Sequence, residues 1–293
     1  MEQFISKQLN ESLNGELNNL FERWKDSYQD ENINDKFCLD GLVVKYKNEE
    51  SGYDINQKWL ESKRKIMFIL KDCPDGWSYD ARRLLVGSQN DDKSLKNAIK
   101  TRNLKGSTGF FKNIALLLYG LYNLTEENKG KEEIKDIKSV GNRSKIIEAF
   151  NEIPFAYVES KKVAGTCQCP PSLLNKTLEN DGKFLAEEIG ILKPNIIVCF
   201  DGNGDIFNNV VKNYFNGLIP DDECRWDYEY VTDKGVDCKF RCRLYYYLKE
   251  NVLLFDSYHP TRLGKEEWKI YEKVISPFRQ FFHKYKTFDV ISK

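Results

Sequence analysis

The sequence predicts an α/β domain, a mostly parallel central sheet with helices on both faces, preceded by an N-terminal helical extension. Three observations predict it. Short apolar runs of strand length alternate with amphipathic stretches at helical spacing, the pattern of crossover units over a parallel sheet. The runs are almost uninterrupted, as in strands covered on both faces. Three of them run out into polar segments, "KDCPDGW", "ESKKVAG" and "DSYHPTRL", and in open α/β sheets ligands sit at the carboxyl ends of the strands.

In chain order, residues 1–60 read mainly as helix, because Phe4, Leu9, Leu13, Leu17, Leu20, Phe21 and Trp24 recur at three- and four-residue spacing. They form the extension, and residues 61–293 form the α/β domain. "KRKIMFILKDCP" (63–74) is a buried strand that opens onto a loop at its proline. "GFFKNIALLLYGLYNL" (109–124) has helical length, with N-cap candidates in the preceding "STG". "LTEENKGKEEIKDIKSVGNRSK" (124–145) is a charged connector, a solvated loop or helix. "EIPFAYVES" (152–160) is a second strand, and "DGKFLAEEIGILKP" (181–194) an amphipathic helix closed by proline. "NIIVCFDGNGD" (195–205) gives a β-branched strand and a Gly/Asn turn. "ECRWDYEYVTDKGVDCKFRCRLYYYL" (223–248) reads as a hairpin around Asp233-Lys234-Gly235. "NVLLFDSYHP" and "GKEEWKIYEKVISPFRQFF" are the last strand and the terminal helix.

The 293 residues carry 45 basic and 45 acidic side chains and are 41% hydrophobic, which suits an ordered globular chain and excludes a uniformly positive coat. A local basic strip remains open. No apolar stretch approaches the roughly 20 residues a bilayer crossing needs, and the polar, amphipathic N-terminus is unlike a signal peptide, so a cytoplasmic chain is expected. Its eight cysteines are then expected to be reduced. Cys167, Cys169, Cys224, Cys238 and Cys242 could supply a zinc site, but isolated thiols are the expectation, with no metal and no cofactor.

Candidate chemistry collects at the strand ends. The sequence has two histidines, and His259 lies between the last strand and the terminal helix, before a proline that favours extended backbone. Its imidazole could meet negative charge on a departing group, although a hydrogen-bonded loop histidine also fits. Asp72, after Lys71, could orient a water and stabilise an oxocarbenium-like sugar cation, or merely cap the "CPDG" turn, with Asp75 and Asp80 as competitors. Phe110, Phe111, Trp77 and Tyr79 offer flat faces for a base, or belong to the core. In "TRL", Arg262 suits a phosphate and Leu263 an apolar wedge between base steps. Gly202-Asn203-Gly204 could approach a phosphate.

Taken in order, "FILKDCPDGW", "GFFKNIALLLYGL", "AYVESKK", "EEIGILKPNIIVCFDGNG" and "SYHPTRLG" resemble the uracil-DNA glycosylase superfamily over roughly residues 63–285. The resemblance implies that Asp72 holds the catalytic acidic position and that Phe110, or Phe111 in another register, stacks on the base. It further implies that His259 stabilises the leaving base anion, and that Leu263 fills the space of the flipped nucleotide. Flipping is required because a stacked base keeps its glycosidic bond out of reach. Lys71, Lys162, Thr261 and Arg262 are the expected DNA contacts, and DNA is the expected partner, with no membrane and no obligatory protein partner. Lys71 and Lys162 are also the candidate Schiff-base nucleophiles if the chain is bifunctional, although nothing around them signals activation.

One departure is informative. Uracil-reading members carry asparagine at the end of the middle strand, where "YVESKK" places Glu159, or Ser160 in another register. An ionised glutamate only accepts hydrogen bonds, whereas a protonated one donates one and accepts one. Cytosine offers an amino donor beside a ring-nitrogen acceptor, so protonated Glu159 complements it better than uracil. The expected substrate is therefore cytosine-like, including the modified cytosines that some members with this layout excise from phage DNA in bacterial defence, or else uracil. The competing expectation is a nucleic-acid-binding or sensor protein that kept the fold and lost the chemistry.

Overall fold

The computed structural model describes residues 2–10, 13–46, 53–74, 80–88, 90–105, 109–125, 140–165, 169–231, 237–260, 267–286 and 288. Among these, seven strands form one sheet. They are β1 (Gly41–Leu42), β2 (Ile66–Pro74), β3 (Phe155–Gly165), β4 (Ile196–Phe200), β5 (Asp222–Val231), β6 (Asp237–Tyr247) and β7 (Val252–Ser257), in the order β1-β3-β2-β4-β7-β6-β5.

The central quartet β3-β2-β4-β7 is parallel. The edges are antiparallel: β1 on β3, and the β5–β6 hairpin on β7. The chain is thus α/β as the sequence predicts, but the sheet is mixed. The hairpin was expected, although its turn at residues 232–236 lies outside the described residues. A strand of two residues, such as β1, has no periodicity to read.

Alternation along the parallel strands divides the apolar residues between two cores. Ile66, Phe68 and Leu70 of β2 and Phe155 and Tyr157 of β3 join one core. There they meet α6 (Gly109–Asn123), α7 (Val140–Glu152) and α10 (Glu267–Tyr285). Met67, Ile69, Ala156 and Val158 join the other core, against α2 (Leu13–Asp26), α4 (Ile55–Glu61), α8 (Pro171–Leu192) and α9 (Asp205–Asn213). Two-sided burial is why these strands read as unbroken apolar runs. Ile33 of α3 (Ile33–Lys36) also joins the second core, while α1 (Glu2–Asn10) and α5 (Asp92–Arg102) stand outside both.

The described part of residues 1–60 does not stand apart as an extension. Leu17, Leu20, Phe21 and Trp24 are fully buried in the second core, Trp59 Nε1 donates to Leu192 O at 2.8 Å, and β1 belongs to the sheet. The apolar stripe that marks α2 as a helix is the surface that attaches it. Among the described residues, no helix is long and apolar enough to cross a membrane.

From β2 the chain reaches β3 through helices of the first core, then passes β2 again to reach β4 through α8 on the opposite face. The direction of winding reverses at the carboxyl end of β2, the position where doubly wound sheets open a crevice. One close approach aims α6 at that end: a Cβ on Gly120 would lie 2.6 Å from Tyr271 Cε2 and 2.8 Å from Ile275 Cδ1. Glycine lets α6 settle against α10.

Candidate active site

Four segments meet at this reversal. Asp72 lies near the end of β2, paired in register with Lys161 of β3, and Leu70 is paired with Glu159. Residues two apart on a strand share a face, so Tyr157, Glu159 and Lys161 look toward α6 with Asp72. His259 and Pro260 follow β7 after Tyr258. Asn113 Nδ2, from the first turns of α6, donates to Pro260 O at 2.6 Å and ties that helix to the histidine segment. Phe110 consequently stacks on His259, with centroids 5.5 Å apart and planes at 28°, and presents its edge relation to Tyr157 at 6.3 Å. Phe111 packs edge-on against Phe110 at 5.0 Å. Of the two phenylalanines, Phe110 is the one in ring contact with His259 and Tyr157.

The titratable groups are displaced from their ordinary ranges. Burial drives the His259 imidazole down to about 4, with the Lys71 charge adding to the effect, so the ring is neutral at pH 7 and donates one N–H. Burial pushes the Glu159 carboxyl up to about 8, supported by the negative charges of Asp40 and Asp72 and opposed by the Tyr157 hydroxyl and Lys162. Glu159 is 2% exposed. Tyr157 Oη donates to its Oε1 at 2.8 Å, while Oε2 is buried and has no hydrogen-bond partner among the described residues. Such an atom costs free energy unless a ligand or water completes it.

Asp72 is raised by burial, against which Lys161 and Lys71 pull toward the carboxylate. Lys161 Nζ stands 3.9 Å from Asp72 Oδ2 and donates to Val163 O. Lys71 therefore acts electrostatically on both Asp72 and His259, which places the early aspartate and the late histidine around one charge.

Several expectations need correcting. Lys162, a candidate DNA contact and nucleophile, is fully buried on the opposite face. Its Nζ donates to both oxygens of Asp40 at 2.6 Å and to Glu188 Oε2 at 2.7 Å. Ser160, the alternative base-reading register, also faces away, and its hydroxyl donates to Lys71 O at 2.8 Å. One position along a strand reverses the face, so the register with Glu159 at the site excludes both neighbours. Asp80 caps a short 3-10 turn, accepting from Arg82 N at 3.0 Å and pairing with the Arg82 guanidinium. The turn at Gly202-Asn203-Gly204 does not hold free amides for a phosphate, since Asp201 accepts from Asn203 N, Gly204 N and Ile206 N. Cys169 packs with one core while Cys224 and Cys242 pack with the other, so these three thiols cannot share a zinc ion. Trp77, Asp75, Tyr79, Cys167, Thr261, Arg262 and Leu263 lie outside the described residues.

Tyr157, Lys161, Asp40 and Asn113 are site residues that sequence reasoning passed over. For Tyr157 and Lys161 a signal existed, the period of two around Glu159. Asp40 reaches Glu159 across 119 positions, with Oδ2 accepting the Glu159 N–H at 2.6 Å, and nothing local announces it. Compared with models of known protein families the chain matches none, and compared with curated proteins it matches none, so its chemistry rests on this geometry.

Proposed function

We propose that the chain is a DNA glycosylase that extrudes a cytosine-like base and hydrolyses its N-glycosidic bond, leaving a free base and an abasic site. The observation that carries this reading is the meeting of Asp72, Glu159, Phe110 and His259, from four separate segments, at the reversal point of the sheet. Extrusion is needed because the sugar carbon of a stacked nucleotide is shielded.

In this reading Phe110 supplies an aromatic face, and protonated Glu159 donates from Oε2 to an unprotonated ring nitrogen while its other oxygen accepts from an amino group. Asp72 orients water toward the sugar carbon and stabilises its oxocarbenium character. As the C–N bond breaks, its electron pair leaves with the base. Neutral His259 donates a hydrogen bond to that anion, and the attacking water gives up its proton to Asp72 or to solvent. A neutral imidazole suits an anion-stabilising donor better than a proton donor, because at about 4 its cation is scarce at neutral pH.

The test is base release from DNA containing uracil, cytosine, hydroxymethylcytosine and glucosylated hydroxymethylcytosine, scored as alkali-labile sites. Release from a cytosine-type substrate, lost in Asp72→Asn and reduced about 10²-fold in His259→Ala, is the expected result. Efficient release of uracil alone would overturn the base assignment. DNA binding without release from any substrate would identify a binding protein on the same fold.

A further inference from the structure

Glu159 is gripped from outside the reacting groups. Between the bridge Phe37–Val163 and strand β1, the segment at Cys38–Asp40 runs alongside β3, and Cys38 N donates to Lys162 O at 2.8 Å. At Glu159 a side chain replaces the backbone acceptor: Asp40 Oδ2 takes the Glu159 N–H at 2.6 Å. Both Asp40 oxygens also accept from Lys162 Nζ, and Lys162 donates in turn to Glu188. Asp40, Lys162 and Glu188 are each fully buried.

We infer that Asp40 is a specificity-determining residue of this site: its carboxyl, held against the Glu159 main chain, acts together with burial to make Glu159 present a hydrogen-bond donor to its ligand. Two neighbouring buried carboxyls do not both ionise readily. Of the two, Asp40 is the one with an ammonium on both of its oxygens. Glu159 has only a phenol on one oxygen and nothing on the other among the described residues, so the proton resides there. The remaining groups around Glu159 divide. Asp72 acts in the same sense as Asp40, while Tyr157 and Lys162 oppose it. Cys38 stays a thiol, raised by its hydrogen bond to Cys73 and by burial. Glu188, behind Lys162, is raised by burial and by Asp40. The ligand that fits is a heteroaromatic edge with a donor beside an unprotonated nitrogen acceptor, which a carboxylate would repel and a carboxylic acid completes.

This inference rests on reading Glu159 as the base-reading position, but its test does not need base release. In protein carrying carboxyl-¹³C glutamate, the Glu159 resonance is assigned by its loss in Glu159→Gln and followed against pH in the wild type, Asp40→Asn, Asp40→Glu and Asp40→Asn/Lys162→Gln. The wild-type midpoint is expected near 8. In Asp40→Asn it falls by about one pH unit or more, because the repelling anion is gone while Lys162 remains. Asp40→Glu restores it. The double variant, which leaves no unpaired ammonium and keeps the test alive if Asp40→Asn does not fold, also lowers it, since Asp40 touches Glu159 directly while the Lys162 ammonium sits on Asp40. A midpoint unmoved in every folded variant lacking the Asp40 charge overturns the inference, whatever the chain does to DNA. Midpoints that move as expected in a chain that releases no base would leave Asp40's role standing and remove the glycosylase reading.

Discussion

Two buried charged clusters lie side by side on β3 and face opposite ways. On the side of α2 and α8, Lys162 is closed by Asp40 and Glu188 at 2.6 and 2.7 Å, with the rings of Phe21 and Trp24 each 5.2 Å from its ammonium. On the side of α6, at the sheet's carboxyl end, Glu159 is driven toward its acid form and His259 toward its neutral form. Asp72 stands 3.9 Å from the Lys161 ammonium, and Glu159 Oε2 has no partner among the described residues. Burial of charge does not by itself mark a site. In the first cluster the protein completes the Lys162 ammonium with its own groups, which makes it structural, although Glu188 Oε1 there also lacks a partner among the described residues. In the second, charge is suppressed and hydrogen-bonding capacity is left over, which is what a polar ligand uses.

That contrast makes opposite demands on substitutions. The largest effect is expected for Asp72→Asn, which lowers single-turnover base release by about 10²–10⁴-fold while shifting the urea midpoint little. If release persists, the α6 side is not the reacting side. Lys162→Ala reverses the pattern: it leaves buried carboxyls without their cation and costs about 3–5 kcal/mol of stability, read by urea unfolding. A variant as stable as the wild type would show that this cluster is not the structural one. Phe110→Ala comes next. It weakens the hold on an extruded base by about 1–3 kcal/mol, measured as a higher KM on substrate DNA with the fold retained.

The smallest effect sharpens the electrostatic half of the comparison. Glu159 holds a proton in the folded chain that the unfolded chain releases, so its contribution to stability is full below the ordinary carboxyl range and is lost as pH rises toward about 8. Glu159→Gln carries no such dependence. Between pH 7 and 8 the wild type should lose on the order of 1 kcal/mol relative to this variant, in paired urea titrations. Parallel curves would show that the carboxyl is not held neutral.

Much of the scaffold was legible because its signals are local. Ile66–Leu70, Ile196–Phe200 and Val252–Phe255 are buried on both faces, so each reads as a continuous apolar run. Asp72, Phe110 and His259 stand out because each follows or opens such an element at a polar break. The choice between Glu159 and Ser160 was not legible, since a short run of buried strand residues does not declare which parity faces which helix layer. Lys162 looked like a basic residue beside the site for the same reason, although it sits one position beyond Lys161 and on the other face. β1 and Asp40 were passed over, being two residues of strand and a single aspartate within the apolar segment "FCLDGLVV".

The sequence by itself determined the α/β class, the order of the parallel strands' segments along the chain, and the polar character of the strand ends, because these follow from periodicity and turn chemistry within a few residues. Only the tertiary structure decided that β1 and the hairpin make the sheet mixed, that α2 and α4 belong to its core, and which buried charges are cancelled. A side chain's protonation depends on the charges and dielectric around it, and here those come from residues such as Asp40 and Glu159, brought within hydrogen-bonding distance across 119 positions.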